Sequence, residues 1–294
     1  MKPAPFAYTR ATTVDEAVGA LARLGEEGRV LAGGQSLVPL MSFRLARPEH
    51  LVDISRVAEL DYLRREGDWL VVGASTRQVT LERSVEARQA APLLVEAVRQ
   101  VGHEPIRHRG TVCGCIAHAE PAAELPAAAL ALGATVVLER ASGRREVPLE
   151  DFLVGPYETS LRPGELLREL RVRCRPDRQG SAFVEYSRRH GDFAIAGTAV
   201  AVGVSGDGKI DGAAIALCGV APTAVRAPRA EAALVGREAT AASVDDEVVS
   251  AAVQDLRPTA DIHGSSDYRL RVARACTRQA LVRALERAQK GGTA

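Results

Sequence analysis

Val30-Leu31-Ala32-Gly33-Gly34-Gln35-Ser36-Leu37-Val38-Pro39-Leu40 opens as a short apolar run. It turns through two adjacent glycines, offers two polar side chains and returns to an apolar pattern. The spacing predicts a strand, a sharp turn and a helix start. Paired glycines let backbone approach a ligand closely, because no Cβ intervenes and positive φ is cheap. Amides at a helix start lack intrahelical partners and favour an anion. The stretch reads either as a phosphate-holding turn or as an ordinary tight connection, and these residues alone leave both open.

Upstream, residues 6–8 form a strand candidate. Thr13-Val14-Asp15-Glu16 fits a capping box ahead of Val14, Ala17, Val18, Leu21 and Leu24 at helical spacing, with Gly25 as the stop. Ser36 is expected to cap a short helix over 37–43, and residues 51–54 form a further strand. Residues 6–54 therefore read as a compact α/β lobe. Beyond it come a strand at 69–72, helices at 76–84 and 92–101, a buried helix at 127–132, a hairpin around Ser142-Gly143 and a strand over 165–173. A polar link from Cys174 to Gly180 marks the domain boundary. Three β runs follow (182–187, 194–204, 209–217), then three helices (228–235, 245–256, 267–288). That order predicts an antiparallel sheet with helices on one face.

The 294 residues suffice for two full cores, and 46% hydrophobic with 26% charged residues is ordinary for a globular chain. A net charge of +1 and sparse aromatics argue against a nucleic-acid surface. Five cysteines do not read as a secreted disulfide framework. The N-terminus has no signal-peptide pattern, and no apolar run approaches the roughly 20 residues of a membrane span, so a cytoplasmic location is expected.

The second informative stretch runs from Gly110-Thr111-Val112-Cys113-Gly114-Cys115 through His118 and Glu120 to Glu124-Leu125-Pro126. Cys113 and Cys115 could join a metal site, but zinc and iron–sulfur spacings need C-x₂-C or further clustered thiols, and Cys174, Cys218 and Cys276 stand apart. His118, Glu120 and Glu124 could serve as acid and base. Glu124 would also simply stabilise the first turn of a helix. Arg107-His108-Arg109 reads as an anion-facing patch or a solvated charge run. No GxGxxG, no GxxxxGK[ST] and no nucleophile motif is present.

Taken together, several segments resemble one family. Leu31-Ala32-Gly33-Gly34-Gln35-Ser36-Leu37 and the run from Arg109-Gly110-Thr111-Val112 to Glu124-Leu125-Pro126 resemble the two flavin segments of the FAD-binding (medium) subunits of molybdenum hydroxylases. The turn Ser187-Arg188-Arg189-His190-Gly191-Asp192-Phe193-Ala194 and the stretch from His263-Gly264-Ser265 to Asp267-Tyr268-Arg269 match as well. The relatives in view are the medium subunits of carbon monoxide, nicotine-derivative and purine dehydrogenases, and the FAD module of xanthine dehydrogenase.

The resemblance implies an α+β protein. Residues 1–175 would form a two-lobed FAD-binding domain of the vanillyl-alcohol oxidase type, with lobes about 1–55 and 56–175. Residues 176–290 would form a C-terminal domain of a three-stranded antiparallel sheet with three helices, and 291–294 a flexible tail. It implies FAD contacts at Leu31, Ala32, Gly33, Gly34, Gln35, Ser36 and Leu37; at Ile106, Thr111, Val112, Cys113, Gly114, Cys115 and Ala117; and at Glu124, Leu167, Asp192 and Phe193. Its partners would be a large molybdopterin subunit and a small subunit with two [2Fe–2S] clusters, in a dimer of heterotrimers. Electrons would run from molybdenum through the clusters to this FAD and on to an external acceptor. One departure stands out. The family commonly reads Thr-x-Gly-Gly followed by Asn or Ser, whereas here Cys113 adds a side chain and Cys115 replaces a better hydrogen-bonding group. The departure predicts retained FAD, held less tightly beside an oxidisable thiol. The alternative is a non-redox assembly subunit with a degenerate flavin site.

Overall fold

A computed structural model describes residues 1–176 and 178–291; most of the expected tail, 292–294, lies outside the described residues. The chain begins with strand β1 (Ala7–Arg10) and helix α1 (Val14–Leu24). The Thr13 hydroxyl accepts from the Glu16 amide at 3.1 Å, and the Glu16 carboxylate returns to the Thr12 amide at 2.7 Å. Strand β2 (Gly28–Leu31), helix α2 (Leu37–Ser42) and strand β3 (His50–Asp53) complete a parallel sheet in the order β1-β3-β2. The expected Ser36 cap does not form: Ser36 already has helical backbone angles, and its side chain makes no capping bond.

A five-stranded antiparallel sheet follows. Its strands are β4 (Leu63–Glu66), β5 (Trp69–Gly73), β6 (Thr135–Arg140), β7 (Gly143–Pro148) and β10 (Leu166–Arg173), in the order β4-β5-β10-β6-β7. Between its strands lie helices α3 (Gln78–Arg83), α4 (Val85–Ala90), α5 (Pro92–Val98), α6 (Glu104–Arg107), α7 (Val112–His118), α8 (Glu124–Ala131) and α9 (Leu149–Phe152), and the small hairpin β8 (Leu153–Gly155) and β9 (Glu158–Thr159). β4, Leu-Arg-Arg-Glu, gives no strand signal of its own; it is an edge strand held by pairing with β5. The glycine-punctuated second stretch forms helix α7 with Thr111 as its cap.

The last region contains β11 (Gln179–Tyr186), β12 (Ala196–Val204), β13 (Ile210–Cys218), β14 (Val225–Arg226), and helices α10 (Pro228–Leu234), α11 (Asp246–Ala251) and α12 (Ser266–Gln289). The sheet has four strands, not three, because the two-residue β14 pairs with Ala216 and Leu217. It is covered on both faces. Val200, Val202, Ile215 and Leu217 join a core with α10–α12, while Phe183, Ala199, Ala216 and Cys218 join the core of the N-terminal regions. α8, with every residue buried, lies against β12 and β13. Burial on both faces explains why β12 reads as an unbroken apolar run rather than an alternating one. Arg287 fastens the layers, bonding Glu96 of α5 at 2.7 Å and the Ser181 carbonyl at 2.6 Å. No helix among the described residues is long and apolar enough to cross a membrane.

α12 crosses β11 at Gly180, where a Cβ would stand 2.5 Å from the Ala288 nitrogen and closer still to the Ala284 carbonyl oxygen. Gly180→Ala is expected to destabilise the chain by about 1–3 kcal/mol. The control Gly206→Ala, which meets nothing within 4 Å, is expected to leave the thermal midpoint nearly unchanged. Thermal unfolding of the two variants checks this.

Candidate functional site

The two glycine segments meet. A Cβ on Gly33 would stand 2.8 Å from Gly110 Cα and closer still to the Arg109 carbonyl oxygen, so only glycine lets the β2–α2 turn lie on that backbone. Gly34 follows with φ +72°, reversing the chain into α2. Behind this contact, a Cβ on Gly114 would lie 3.9 Å from Ala32 Cβ, which brings the first turn of α7 to the same place.

The backbone around this contact is rich in free donors. Among the described residues, nothing accepts a hydrogen bond from the amides of Gly33, Gly34, Gln35 and Ser36, or from those of Thr111 and Cys113. Thr111 and Cys113 are buried. A buried donor without a partner costs roughly 1–3 kcal/mol, so converging amides of this kind are built for an anionic ligand. The Thr111 hydroxyl takes up the Gly114 amide at 3.1 Å, which fixes α7 in place. The row of amides and the glycine cradle fit a pyrophosphate.

A family model for the FAD binding domain in molybdopterin dehydrogenase matches residues 4–172, and one for the CO dehydrogenase flavoprotein C-terminal domain matches residues 181–284. The chain belongs to the FAD-binding medium-subunit family of the molybdenum hydroxylases. It is 43% identical to the 6-hydroxypseudooxynicotine dehydrogenase complex subunit alpha of Paenarthrobacter nicotinovorans, over 98% of this chain and 97% of that one. It is 39% identical to the carbon monoxide dehydrogenase medium chain of Hydrogenophaga pseudoflava, over 96% and 97%. A solved carbon monoxide dehydrogenase from Hydrogenophaga pseudoflava, lacking the Mo-pyranopterin moiety of its cofactor, superposes with a TM-score of 0.94 at 41% identity, covering 98% of this chain and 99% of that one.

As a medium subunit, the chain places the expected contacts as follows. Leu31 ends β2, Ala32–Ser36 form the turn, and Leu37 starts α2. Val112, Cys113, Gly114, Cys115 and Ala117 lie on α7, and Ile106 sits exposed on α6 just before them. Glu124 is the first residue of α8, buried beside Cys115. Asp192 and Phe193 are exposed in the β11–β12 loop. That loop rests on the segment leading to α6, since a Cβ on Gly191 would lie 2.8 Å from the His103 ring. Leu167 is buried in the core at a bulge in β10, and nothing ties it to the amide row.

Cys113 is placed differently from the sequence expectation. Cys113 points away from the turn, its thiol donating to the Val72 carbonyl of β5 at 3.4 Å. Its Cβ therefore does not stand between the amides. Burial pushes the thiols of Cys113 and Cys115 well up, and the charges of Glu124 and Glu120 add to the effect at Cys115. That favours the thiol over the thiolate at both positions. Among the described residues no group of three His, Cys, Asp or Glu is placed to hold a metal ion.

Sequence reasoning missed Thr76-Arg77-Gln78. The Thr76 carbonyl accepts from the Val112 amide at 3.0 Å, and the Gln78 amide donates to the Gly110 carbonyl at 2.9 Å. Arg77 donates to the Arg109 carbonyl. Gln78 Oε1 is buried beside Gly110 without a partner among the described residues, a further group free for a ligand. These residues read from sequence only as a helix start, because their partners lie more than 30 residues away.

Burial pushes the Glu124 carboxyl up to about 7. Burial, followed by the charge of Glu124, pushes Glu185 up to about 8. Their ordinary value is 4.5, so between pH 4.5 and about 8 the folded chain holds protons that the unfolded chain has released. These two carboxyls therefore withdraw stability as pH rises through this window, while His118, held below its ordinary value by burial, contributes in the opposite direction. Thermal midpoints of the FAD-free chain are expected to drop from pH 5 to pH 8, and Glu185→Gln is expected to flatten the slope. Gly33→Ala is expected to weaken FAD binding about 100-fold, or about 2.7 kcal/mol, as read by flavin retention on gel filtration; wild-type retention would show that the Gly33–Gly110 contact does not shape the cradle.

Proposed function

We propose that this chain is the FAD-binding electron-transfer subunit of a three-subunit molybdenum hydroxylase. In this reading it takes electrons from the [2Fe–2S] clusters of a small partner and passes them to an external acceptor. A large partner carries molybdopterin and hydroxylates the substrate, and the assembly is a dimer of heterotrimers in the cytoplasm. The division into an FAD-binding domain over 1–175, of the vanillyl-alcohol oxidase type, and a C-terminal domain from 176 belongs to the same proposal. The observation that carries it is the meeting of Gly33 with Arg109–Gly110 beside a row of unpartnered amides.

When bound, FAD supplies a carrier that takes up electrons and passes them on, chemistry no side chain here provides. The chain's own part is to hold it. The amides of 33–36, Thr111 and Cys113 would bind the pyrophosphate, and the β11–β12 loop, with Asp192 and Phe193, would border the ring. Glu124, buried at the positive end of α8, would accept a hydrogen bond from a sugar hydroxyl or from the adenine amino group.

The purified protein is expected to be yellow, with stoichiometric extractable FAD. Cys113→Gly is expected to leave that content unchanged, because the thiol points toward Val72. If the wild type is colourless and only Cys113→Gly or Cys115→Asn holds FAD, the site is degenerate and the chain serves assembly alone.

A further inference from the structure

The β11–β12 loop and the first turns of α12 build one surface. Arg269, buried, bonds the Ile195 and Gly219 carbonyls at 2.8 and 3.1 Å and pairs with Asp261 at 2.7 Å, which locks the start of α12 to the start of β12. On this platform Tyr268 and Tyr186 are close neighbours, within reach of the charges of Arg188 and Arg271. The Arg271 guanidinium lies 5.8 Å from the Tyr268 ring centroid. The other end of the loop rests on His103, whose ring centroid is 5.8 Å from that of His190. His103 starts α6, which runs directly to Arg109–Gly110, so the surface borders the amide row.

Charge and shape distinguish this surface from the rest of the chain. Arg188, Arg189 and Arg271 are exposed, and among the described residues none forms an ion pair. The exposed carboxylates on the same segments are Asp192 and Asp267, too few to neutralise the three arginines. The whole chain carries only +1, so this is a local excess. Phe193 is 61% exposed and Tyr186 48% exposed; they stand out from the surface rather than lining a cleft. A small ligand needs concavity. Protruding aromatics among arginines are instead the composition of protein interfaces, and unpaired rim cations steer a partner of opposite charge.

We propose that this face is the docking surface for an acidic electron-carrier protein, the external acceptor of this subunit. The proposal rests on the electron-transfer reading above. Two one-electron carriers are reduced in succession for each pair of electrons leaving the flavin, and the protons taken up on reduction pass to water. Arg188 and Arg189 steer and orient the carrier, while Phe193 brings it beside the cofactor.

The test uses the assembled complex and flavodoxin, an acidic one-electron carrier, with basic cytochrome c as control. Flavodoxin binding, measured by surface plasmon resonance, is expected to weaken roughly tenfold or more between about 50 and about 300 mM salt. Arg188→Glu/Arg189→Glu is expected to abolish it at low salt and to strengthen cytochrome c binding, with flavin content and subunit composition unchanged. Flavodoxin binding that ignores the double reversal overturns the proposal. So does loss of a partner subunit from the variant complex, which would make the face a permanent subunit interface. A complex without FAD would instead defeat the electron-transfer reading itself.

Discussion

Everything at the cofactor site depends on one missing carbon. Without a Cβ at Gly33, the turn after β2 lies directly on the Arg109–Gly110 backbone, and two segments more than 70 residues apart present their amides to one place. The rest of the N-terminal region serves that contact. The Arg77 and Gln78 bonds hold the second segment from below, Thr111 fixes α7, and the parallel sheet carries the first segment in on β2. Apart from the Arg77 guanidinium, each support is a backbone or capping bond, so the geometry is set largely by the fold.

The C-terminal sheet is more than a covering layer. Because both its faces are buried, it is bonded into the N-terminal core through α5 and α8, and Arg287 clamps the layers together. The burial has an electrostatic cost. Glu124 and Glu185 are caught in the seam with raised pKa values, and Glu185 Oε2 has no partner among the described residues. A carboxyl kept protonated near neutral pH can donate a hydrogen bond as well as accept one, which widens what Glu124 can recognise.

Much of this was legible in the sequence because the signals are local. The Thr13 cap, the hairpin at Ser142-Gly143 and the three long β runs all form where spacing places them. The glycine pair, read with the second segment, pointed to the cofactor class. What was not legible is non-local. β14 is two residues long and exists only through pairing. Gln78 and Arg77 matter only because Gly110 folds onto them. The direction of the Cys113 side chain, which decides whether the departure from the family pattern does harm, depends on β5, some 40 residues earlier.

The central claim is that the two glycine segments jointly hold the pyrophosphate of FAD. A crystal structure of the flavin-loaded protein tests it most directly. Pyrophosphate oxygens are expected within hydrogen-bond distance of amides from both segments, 33–36 on one side and Thr111 and Cys113 on the other. Pyrophosphate held by only one segment, or FAD bound away from the Gly33–Gly110 contact, would contradict it.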